Sequence, residues 1–231
     1  MTISIPWHST SKWQPTEVTQ FINHVNSGAG TLIVGTDAGP GYLKALGNPD
    51  GPHALAKDFL GTHLAAKLGL PTFDYAVIEI TEIDDLPFFK SGKAEPGPAF
   101  ITRSEYGATW GKDKRLLEKI DNPEAVSGLV VIDTWLRNTD RYYLPSNRVN
   151  LDNVFFSRES SEDDKLSLRA MDFRLEDAVG LIPHEWQLEP NVRSALADYL
   201  VQRAEFVAES IESRLFDPPQ LTIDLSDGDK S

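Results

Sequence analysis

The feature that most constrains the fold is a change along the chain in the spacing of its structure-breaking residues. Up to about residue 100, glycine and proline divide the sequence into short extended segments, whereas two long stretches after about residue 120 have helical patterns. This change predicts an α+β fold with two lobes. We expect a small β-rich lobe over residues 1–103, a mainly helical lobe over residues 104–217 and an acidic tail over residues 218–231.

The first lobe is predicted to hold a small sheet and one helix. Thr31 to Gly35 and Gly41 to Leu46 resemble strands separated by turn formers, which predicts a hairpin. Two further strands are expected over Asp74 to Thr81 and over Ala99 to Thr102, the second after a loop rich in glycine and proline. The helix begins at Pro52, ends before Gly69 and Pro71, and carries an apolar face. That face consists of Leu55, Phe59, Leu64 and Leu68.

The second lobe is predicted to contain two helices and a hairpin. Apolar residues with helical spacing run from Ala125 to Leu136 and from Leu196 to Leu215. Between these helices, Val154 to Phe156 and Leu166 to Ala170 resemble two strands joined by a polar loop. We interpret them as an antiparallel hairpin.

Composition excludes several classes of protein. No apolar run reaches the roughly 18 residues of a membrane span, and the first residues lack the pattern of a secretory signal. The net charge of −13 opposes direct binding to nucleic acid. Because the chain has no cysteine, its chemistry must use oxygen and nitrogen groups, and a cytoplasmic location is expected. The five histidines show no metal-like spacing, and we expect the tryptophans to pack in the core.

Three polar residues converge if the second hairpin forms. Asn153 lies where its first strand begins and Asp172 where its second strand ends, so antiparallel pairing makes them neighbours. Asp140 lies on the connection that enters the hairpin from the preceding helix. Such a set of oxygen atoms suits a hard cation such as magnesium. Each residue taken alone has an ordinary alternative role in a turn.

The order of these residues resembles the catalytic end of HipA-like kinases, which are related to the phosphoinositide kinases. The pattern consists of Asn138-Thr139-Asp140-Arg141, then Asn153 before a strand, then Met171-Asp172-Phe173 after one. The resemblance implies a two-lobed, protein-kinase-like fold that binds ATP and Mg²⁺. It assigns Asp140 as the base that orients the acceptor hydroxyl, with Asn153 and Asp172 as metal ligands on the hairpin.

The resemblance extends to the first lobe. Lys44, in a predicted strand, is similar to the lysine that contacts the nucleotide phosphates, and Asp58 to the helix carboxylate that holds it. Residues 26–31 are similar to a phosphate-covering loop, in which Ser27, Gly28 and Gly30 are the candidate contacts. A solvated lysine and a plain turn are the alternatives.

Two segments take their interpretation from the resemblance. Val18 to Val25 has the helical spacing of apolar residues, yet the kinase pattern requires the first strand of the sheet there, and we expect a strand. The run from Ala99 to Arg103 falls near the hinge that receives adenine, where backbone groups make the contacts.

The chain departs from the kinase pattern at three places. Asp140 and Asn153 are 13 positions apart, where protein kinases separate the two residues by five, so Asn147 and Asn150 are rival ligands. Tyr142 stands where the pattern has histidine, and Asp58 stands where it has the longer glutamate. In addition, Asp133 precedes Arg137 by four residues, which predicts a helical ion pair, with support of the catalytic loop as a secondary role.

The resemblance implies a kinase that transfers the γ-phosphate of Mg-ATP to a serine or threonine hydroxyl of a protein substrate. HipA-like proteins often act as toxins on the translation machinery, which implies an antitoxin or regulatory protein as a further partner, with Ser27 and Thr31 as self-targets. The alternatives are an AMP transferase, a small-molecule kinase, or an interaction module whose nucleotide site has degenerated. Catalysis is favoured over the last because Lys44, Asp140, Asn153 and Asp172 are all present.

Overall fold

The protein has an α+β fold in the computed structural model, as the sequence predicts. The structure describes residues 13–25, 30–81, 85–89, 91–110, 114–138, 142–143, 148–149, 154–158, 167–169 and 179–216. No helix in these ranges is long and apolar enough to cross a membrane. The division into lobes at residues 103 and 104, and the acidic tail, remain predictions.

The largest sheet is antiparallel and has five strands in the order β1-β2-β3-β5-β4. Its strands are β1 (Val18–His24), β2 (Leu32–Thr36), β3 (Gly39–Leu46), β4 (Tyr75–Ile80) and β5 (Glu95–Arg103). The predicted hairpin is therefore present as β2 and β3. Strand β5 begins earlier than predicted, because residues assigned to a loop pair with β4 through the partners Pro98 and Glu79. Burial of Pro98 outweighs the local preference of proline for a loop.

Strand β1 confirms the prediction of a strand in this segment, which was made despite the helical spacing of its apolar residues. Its pairing with β2 has register shifts between Val18 and Gln20 and between Phe21 and Asn23. A bulge adds a residue to one strand and breaks the simple alternation of side chains. Val18 and Phe21 can therefore both pack against the sheet core, although they are three residues apart. The bulges thus allow apolar residues at helical spacing to lie on one face of a strand.

Helix α1 (Pro52–Lys67) follows β3, as predicted. Gly51, with a positive φ of 81°, redirects the chain into the helix. Leu55, Phe59 and Leu64 form its buried face, but Leu68 lies at the C-cap and is 52% exposed, so its assignment to that face was wrong. The helix ends one residue too early for Leu68 to continue the apolar stripe.

The remainder of the chain supplies helices and short strands. The predicted hairpin is present, since Leu168 of one strand pairs antiparallel with Phe156 of the other. A strand that the sequence analysis missed, β6, pairs with the other edge of this hairpin to give the order β10-β9-β6. These elements are β6 (Tyr106–Thr109), α2 (Lys114–Leu117), α3 (Glu124–Leu136), β7 (Tyr142–Tyr143), β8 (Arg148–Val149), β9 (Phe155–Arg158), β10 (Ser167–Arg169), a 3₁₀ turn (His184–Trp186) and α4 (Pro190–Phe216).

Two apolar clusters lie on opposite faces of the five-stranded sheet. Leu43 and Ala45 of β3 point into one cluster, which also contains Trp13. The other cluster joins α1 and the sheet to α3, β9 and α4. Since side chains alternate along a strand, Lys44 points to the same face as Leu46, which packs against the cluster around α1. The pleat of β3 therefore directs Lys44 toward α1.

Candidate active site

Lys44 and Asp58 form an ion pair between β3 and α1. The Lys44 side chain is 19% exposed and that of Asp58 is 32% exposed, so the pair is shielded on most sides yet accessible from one. A lysine with these properties can give charge-assisted hydrogen bonds to phosphate oxygens while the carboxylate limits its orientation. Asp58 thus reaches Lys44 despite being one methylene shorter than glutamate.

Aromatic packing determines the distance between α1 and the sheet. Phe59, next to Asp58, contacts the ring of Phe100 edge-on, with ring centroids 6.0 Å apart. Phe100 of β5 is the register partner of Lys44 on β3. The Phe59 side chain is 3% exposed, so this contact is part of the core. The position of Asp58 relative to Lys44 therefore follows from the packing of Phe59 on the sheet.

The predicted phosphate-covering loop connects β1 to β2. Its base is closed by a hydrogen bond from the Val25 amide to the Thr31 carbonyl oxygen, at 3.0 Å. Ser27 and Gly28 lie outside the described residues. Lys44 is on β3, the strand paired with β2. The loop thus joins the first two of three consecutive strands, and the lysine lies on the third. This arrangement is similar to a kinase nucleotide site.

Gly30 has a structural reason to be glycine. Its φ is 54°, and a Cβ atom there would lie 2.7 Å from Pro49 Cδ and 3.0 Å from Asn48 Nδ2. Asn48 is 5% exposed, and its Oδ1 accepts a hydrogen bond of 2.9 Å from the Asp50 amide. The buried Asn48 therefore connects the end of the loop to the turn that precedes α1. This contact was not predicted from the sequence, although an asparagine followed by proline is a recognisable turn signal.

The hairpin of β9 and β10 has the pairing on which the metal prediction depends. Phe155 at the start of β9 is the partner of Arg169 at the end of β10. The first residue of β9 and the last residue of β10 are therefore neighbours. Asn153 and Asp172 lie just beyond these ends, outside the described residues, so their role as ligands remains a prediction. The rival ligands Asn147 and Asn150 also lie outside them.

The end of α3, which precedes the predicted catalytic loop, is held by several hydrogen bonds. Asp133 Oδ1 accepts a bond of 2.9 Å from Asn138 Nδ2, a contact within the turn rather than the predicted pairing with Arg137. Arg137 has a left-handed conformation with φ 50°, which ends the helix. Arg203 of α4 donates to the Thr134 carbonyl oxygen at 2.6 Å. Asp140 follows shortly after, outside the described residues.

The sequence comparison decides the family. A model of the HipA-like kinase family matches residues 41–168, which is more than half of the 231 residues. The chain belongs to the HipA-like kinase family. The match includes Lys44 and Asp58, which the structure describes. It also includes Asp140 and Asn153, whose roles are predicted. No curated protein matches the chain.

Membership of the HipA-like kinase family supports a kinase-type activity, which implies ATP and a divalent metal as cofactors. Among the residues that the structure describes, no group of three or more histidine, aspartate or glutamate side chains could hold a metal ion. The predicted ligands are elsewhere in the chain, on the segments that flank β9 and β10. The described part of the candidate site thus contains the Lys44–Asp58 pair, and the binding of phosphate by Lys44 remains a prediction.

Proposed function

We propose that this HipA-like protein is an ATP-dependent kinase that transfers the γ-phosphoryl group of Mg-ATP to a serine or threonine hydroxyl of a protein. The observation that carries the proposal is the ion pair of Lys44 and Asp58 between β3 and α1. Protein kinases hold their phosphate-binding lysine by a carboxylate from the helix that follows the same strand. A solvated surface lysine, which was the alternative, would not be held by a carboxylate from this helix.

Lys44 acts by electrostatics in this proposal. Phosphoryl transfer has a loose transition state in most analyses, so positioning and charge stabilisation provide most of the catalysis. The Lys44 ammonium donates to phosphate oxygens, and Asp58 limits the orientations that its flexible side chain samples. The partial burial of both side chains strengthens these interactions relative to water.

The remaining roles fall on residues outside the described part of the chain. Asn153 and Asp172 would hold magnesium, which neutralises phosphate charge when bound. Asp140 orients the acceptor hydroxyl and takes its proton. The hydrogen bonds that fix the end of α3 support this role, because they set where the Asp140 segment begins. Gly30, with Ser27 and Gly28, belongs to the loop that covers the phosphates.

The acceptor and the partners follow from the family. We propose a protein substrate with a serine or threonine acceptor, in the translation machinery if the chain acts as a toxin, and an antitoxin or regulatory protein as a second partner. Ser27 and Thr31 are candidates for self-phosphorylation, since both belong to the predicted phosphate-covering loop. The acidic net charge of −13 supports protein partners over nucleic acid.

The decisive experiment is to incubate the purified protein with Mg-ATP and a bacterial lysate, then to measure the mass added to modified proteins. Addition of one phosphoryl group to serine or threonine supports the proposal. Addition of AMP, or phosphorylation of small molecules alone, would replace it with another transfer reaction. Nucleotide binding with no transfer to any acceptor would point to a degenerate module. The matched control is the Asp140→Ala variant, which should bind Mg-ATP without transferring its phosphate.

A further inference from the structure

The 3₁₀ turn His184–Trp186 fills the space between helix α1 and strand β5. Trp186 is completely buried, and its indole N–H donates a hydrogen bond of 2.8 Å to the carbonyl oxygen of Pro98 on β5. The same ring system makes a T-shaped contact with Phe59 of α1, with centroids 5.7 Å apart and planes at 73°. One side chain therefore contacts both the helix that carries Asp58 and the strand opposite Lys44.

A second contact joins this turn to the beginning of α1. His53 Nε2 lies 3.4 Å from the carbonyl oxygen of Gln187, which directly follows the turn. His53 and Phe59 are six residues apart, so they belong to different turns of the helix. Contacts at two levels along α1 restrict its tilt as well as its distance from the sheet.

Arg193 of α4 fixes the turn to the rest of the protein. Its guanidinium donates to four backbone carbonyl oxygens, at distances between 2.7 and 3.1 Å. The acceptors belong to Val179, Ile182, Pro183 and Leu188. Guanidinium donors lie in one rigid plane, so four acceptors around them define the shape of the segment. Residues 179–188 thus form a fixed support rather than a loose connection.

This support has a particular place in the sequence. It follows the predicted metal ligand Asp172, and Trp186 comes 14 residues after that position. Trp186 contacts Phe59, which is adjacent to Asp58 in α1. A change in the position of Trp186 would therefore move the carboxylate that holds Lys44.

We propose that Trp186 is a positioning residue for nucleotide binding. It holds α1 at the distance from β5 at which Asp58 orients Lys44, and so links the segment after the metal-binding hairpin to the phosphate-binding lysine. This inference rests on the proposed function. It differs from an ordinary core role because it predicts an effect on nucleotide affinity that passes through the Lys44–Asp58 pair.

Trp135 provides a matched control for Trp186. It is 6% exposed, and its indole N–H donates a hydrogen bond of 2.9 Å to the Leu200 carbonyl oxygen. Replacement of either tryptophan by phenylalanine removes one buried indole hydrogen bond to a backbone carbonyl. Trp135, however, donates its hydrogen bond from α3 to α4, whereas Trp186 contacts Phe59 of α1 and donates to β5. The two variants therefore share a loss of stability but differ in their connection to Asp58.

The experiment measures the Mg-ATP dissociation constant and the melting temperature of six proteins. These are wild type, Trp186→Phe, Trp135→Phe, Asp58→Asn and the two double variants that combine Asp58→Asn with each tryptophan change. We expect both tryptophan changes to lower the melting temperature. Only Trp186→Phe should weaken Mg-ATP binding, by about tenfold, because small misplacements of a binding group are costly. In the Asp58→Asn background this effect should disappear, since the pair through which it acts is already lost.

The outcomes separate the inference from the function on which it rests. If Asp58→Asn weakens binding but Trp186→Phe does not, the kinase proposal stands and the positioning role is wrong. The role is also wrong if Trp135→Phe weakens binding equally, or if the effect of Trp186→Phe persists undiminished without the Asp58 carboxylate. If the wild type binds no Mg-ATP, the proposed function and the inference both fall.

A measurement on the unmodified protein covers the case in which Trp186→Phe does not fold. Hydrogen exchange of the wild type with and without Mg-ATP reports the protection of α1 and of residues 179–188. If Trp186 couples the two, binding at Lys44 should slow exchange in both segments. Protection of α1 with no change in residues 179–188 would overturn the inference.

Discussion

Lys44 and Asp58 are 14 residues apart in the sequence and belong to different kinds of secondary structure, yet they form an ion pair on one face of the sheet. The pleat of β3 directs the lysine to this face, and the packing of Phe59 brings the carboxylate to it. The same face carries the apolar cluster that joins α1 to α3 and α4. The pair is thus supported by the core beneath it.

Replacement of Lys44 by alanine should weaken Mg-ATP binding at least about tenfold, which is about 1.4 kcal/mol. A hydrogen bond from a charged donor to phosphate is of this size or larger. Isothermal titration calorimetry measures the dissociation constant. Lys57→Ala is the control, because Lys57 is an exposed lysine on the same helix as Asp58. Equal affinities for wild type and Lys44→Ala would contradict the assigned role.

Asp140→Ala should reduce phosphoryl transfer by about 10²–10⁴-fold, the range for loss of a positioned general base. Its affinity for Mg-ATP should change little, because Asp140 is assigned to the acceptor hydroxyl. A single-turnover assay gives the transfer rate, and a binding titration gives the affinity. Full transfer by the variant would show that another group is the base.

Asp172→Asn should abolish the stabilisation of the protein by Mg-ATP. A ligand that binds only the folded state at 100 times its dissociation constant contributes about 2.7 kcal/mol, which raises the melting temperature. Thermal denaturation with ATP, with and without magnesium, measures the shift. The exposed Asp198→Asn on α4 serves as the control and should keep the wild-type response. A magnesium-dependent shift that survives in Asp172→Asn would assign the metal to other ligands.

Gly30→Ala should lower the free energy of unfolding by about 1–2 kcal/mol even without nucleotide. The left-handed conformation opposes a Cβ atom, and Pro49 Cδ lies only 2.7 Å from where that atom would be. Chemical denaturation measures the loss. Gly180→Ala is the control, because a Cβ atom there meets nothing within 4 Å. If the two variants were equally stable, the packing of Gly30 on the turn before α1 would not constrain the loop.

Glu79→Gln should stabilise the protein at neutral pH. Burial and, secondarily, the nearby carboxylate of Glu185 raise the pKa of Glu79 above its ordinary value of 4.5. A carboxylate with a raised pKa in the folded state favours folding while protonated, and this contribution is lost as pH rises through the raised pKa. Because Glu79 is exposed, we expect a gain of only about 0.5 kcal/mol at neutral pH.

The pH dependence of unfolding tests this sign. The advantage of Glu79→Gln over wild type should shrink as pH falls through the raised pKa, and it should be lost below 4.5, where the wild-type carboxyl is protonated in both states. Glu185→Gln removes the like charge and should give part of the same gain. An advantage that grew toward acid pH would show the opposite shift.

Local pattern predicted most of the secondary structure. The hairpin of β2 and β3, helix α1, helix α3 and the hairpin of β9 and β10 all follow from the spacing of apolar residues and turn formers. Strand β6 was missed because its four residues are all exposed and one of them is Gly107, so no alternation marks it. Its partner β9 determines its conformation through backbone hydrogen bonds, which the side-chain pattern does not reveal.

The candidate site residues could also be chosen from the sequence, because Asp140, Asn153 and Asp172 flank helices and strands that the sequence predicts. Contacts between distant segments could not. The helical spacing in β1, for example, arises from bulges that depend on its pairing with β2. The assignment of that strand therefore needed the family pattern.

By itself, the sequence determined the fold class, most of the longer helices and strands, and the set of side chains available for phosphoryl transfer, because these depend on composition and on neighbours a few residues apart. Tertiary structure alone decided that Asn48 holds Gly30, and that Trp186 bonds Pro98, 88 residues away. Such contacts depend on how helices and strands pack, and many arrangements satisfy the same apolar pattern. Only the folded chain brings Trp186 beside Phe59 and so supports the carboxylate that holds Lys44.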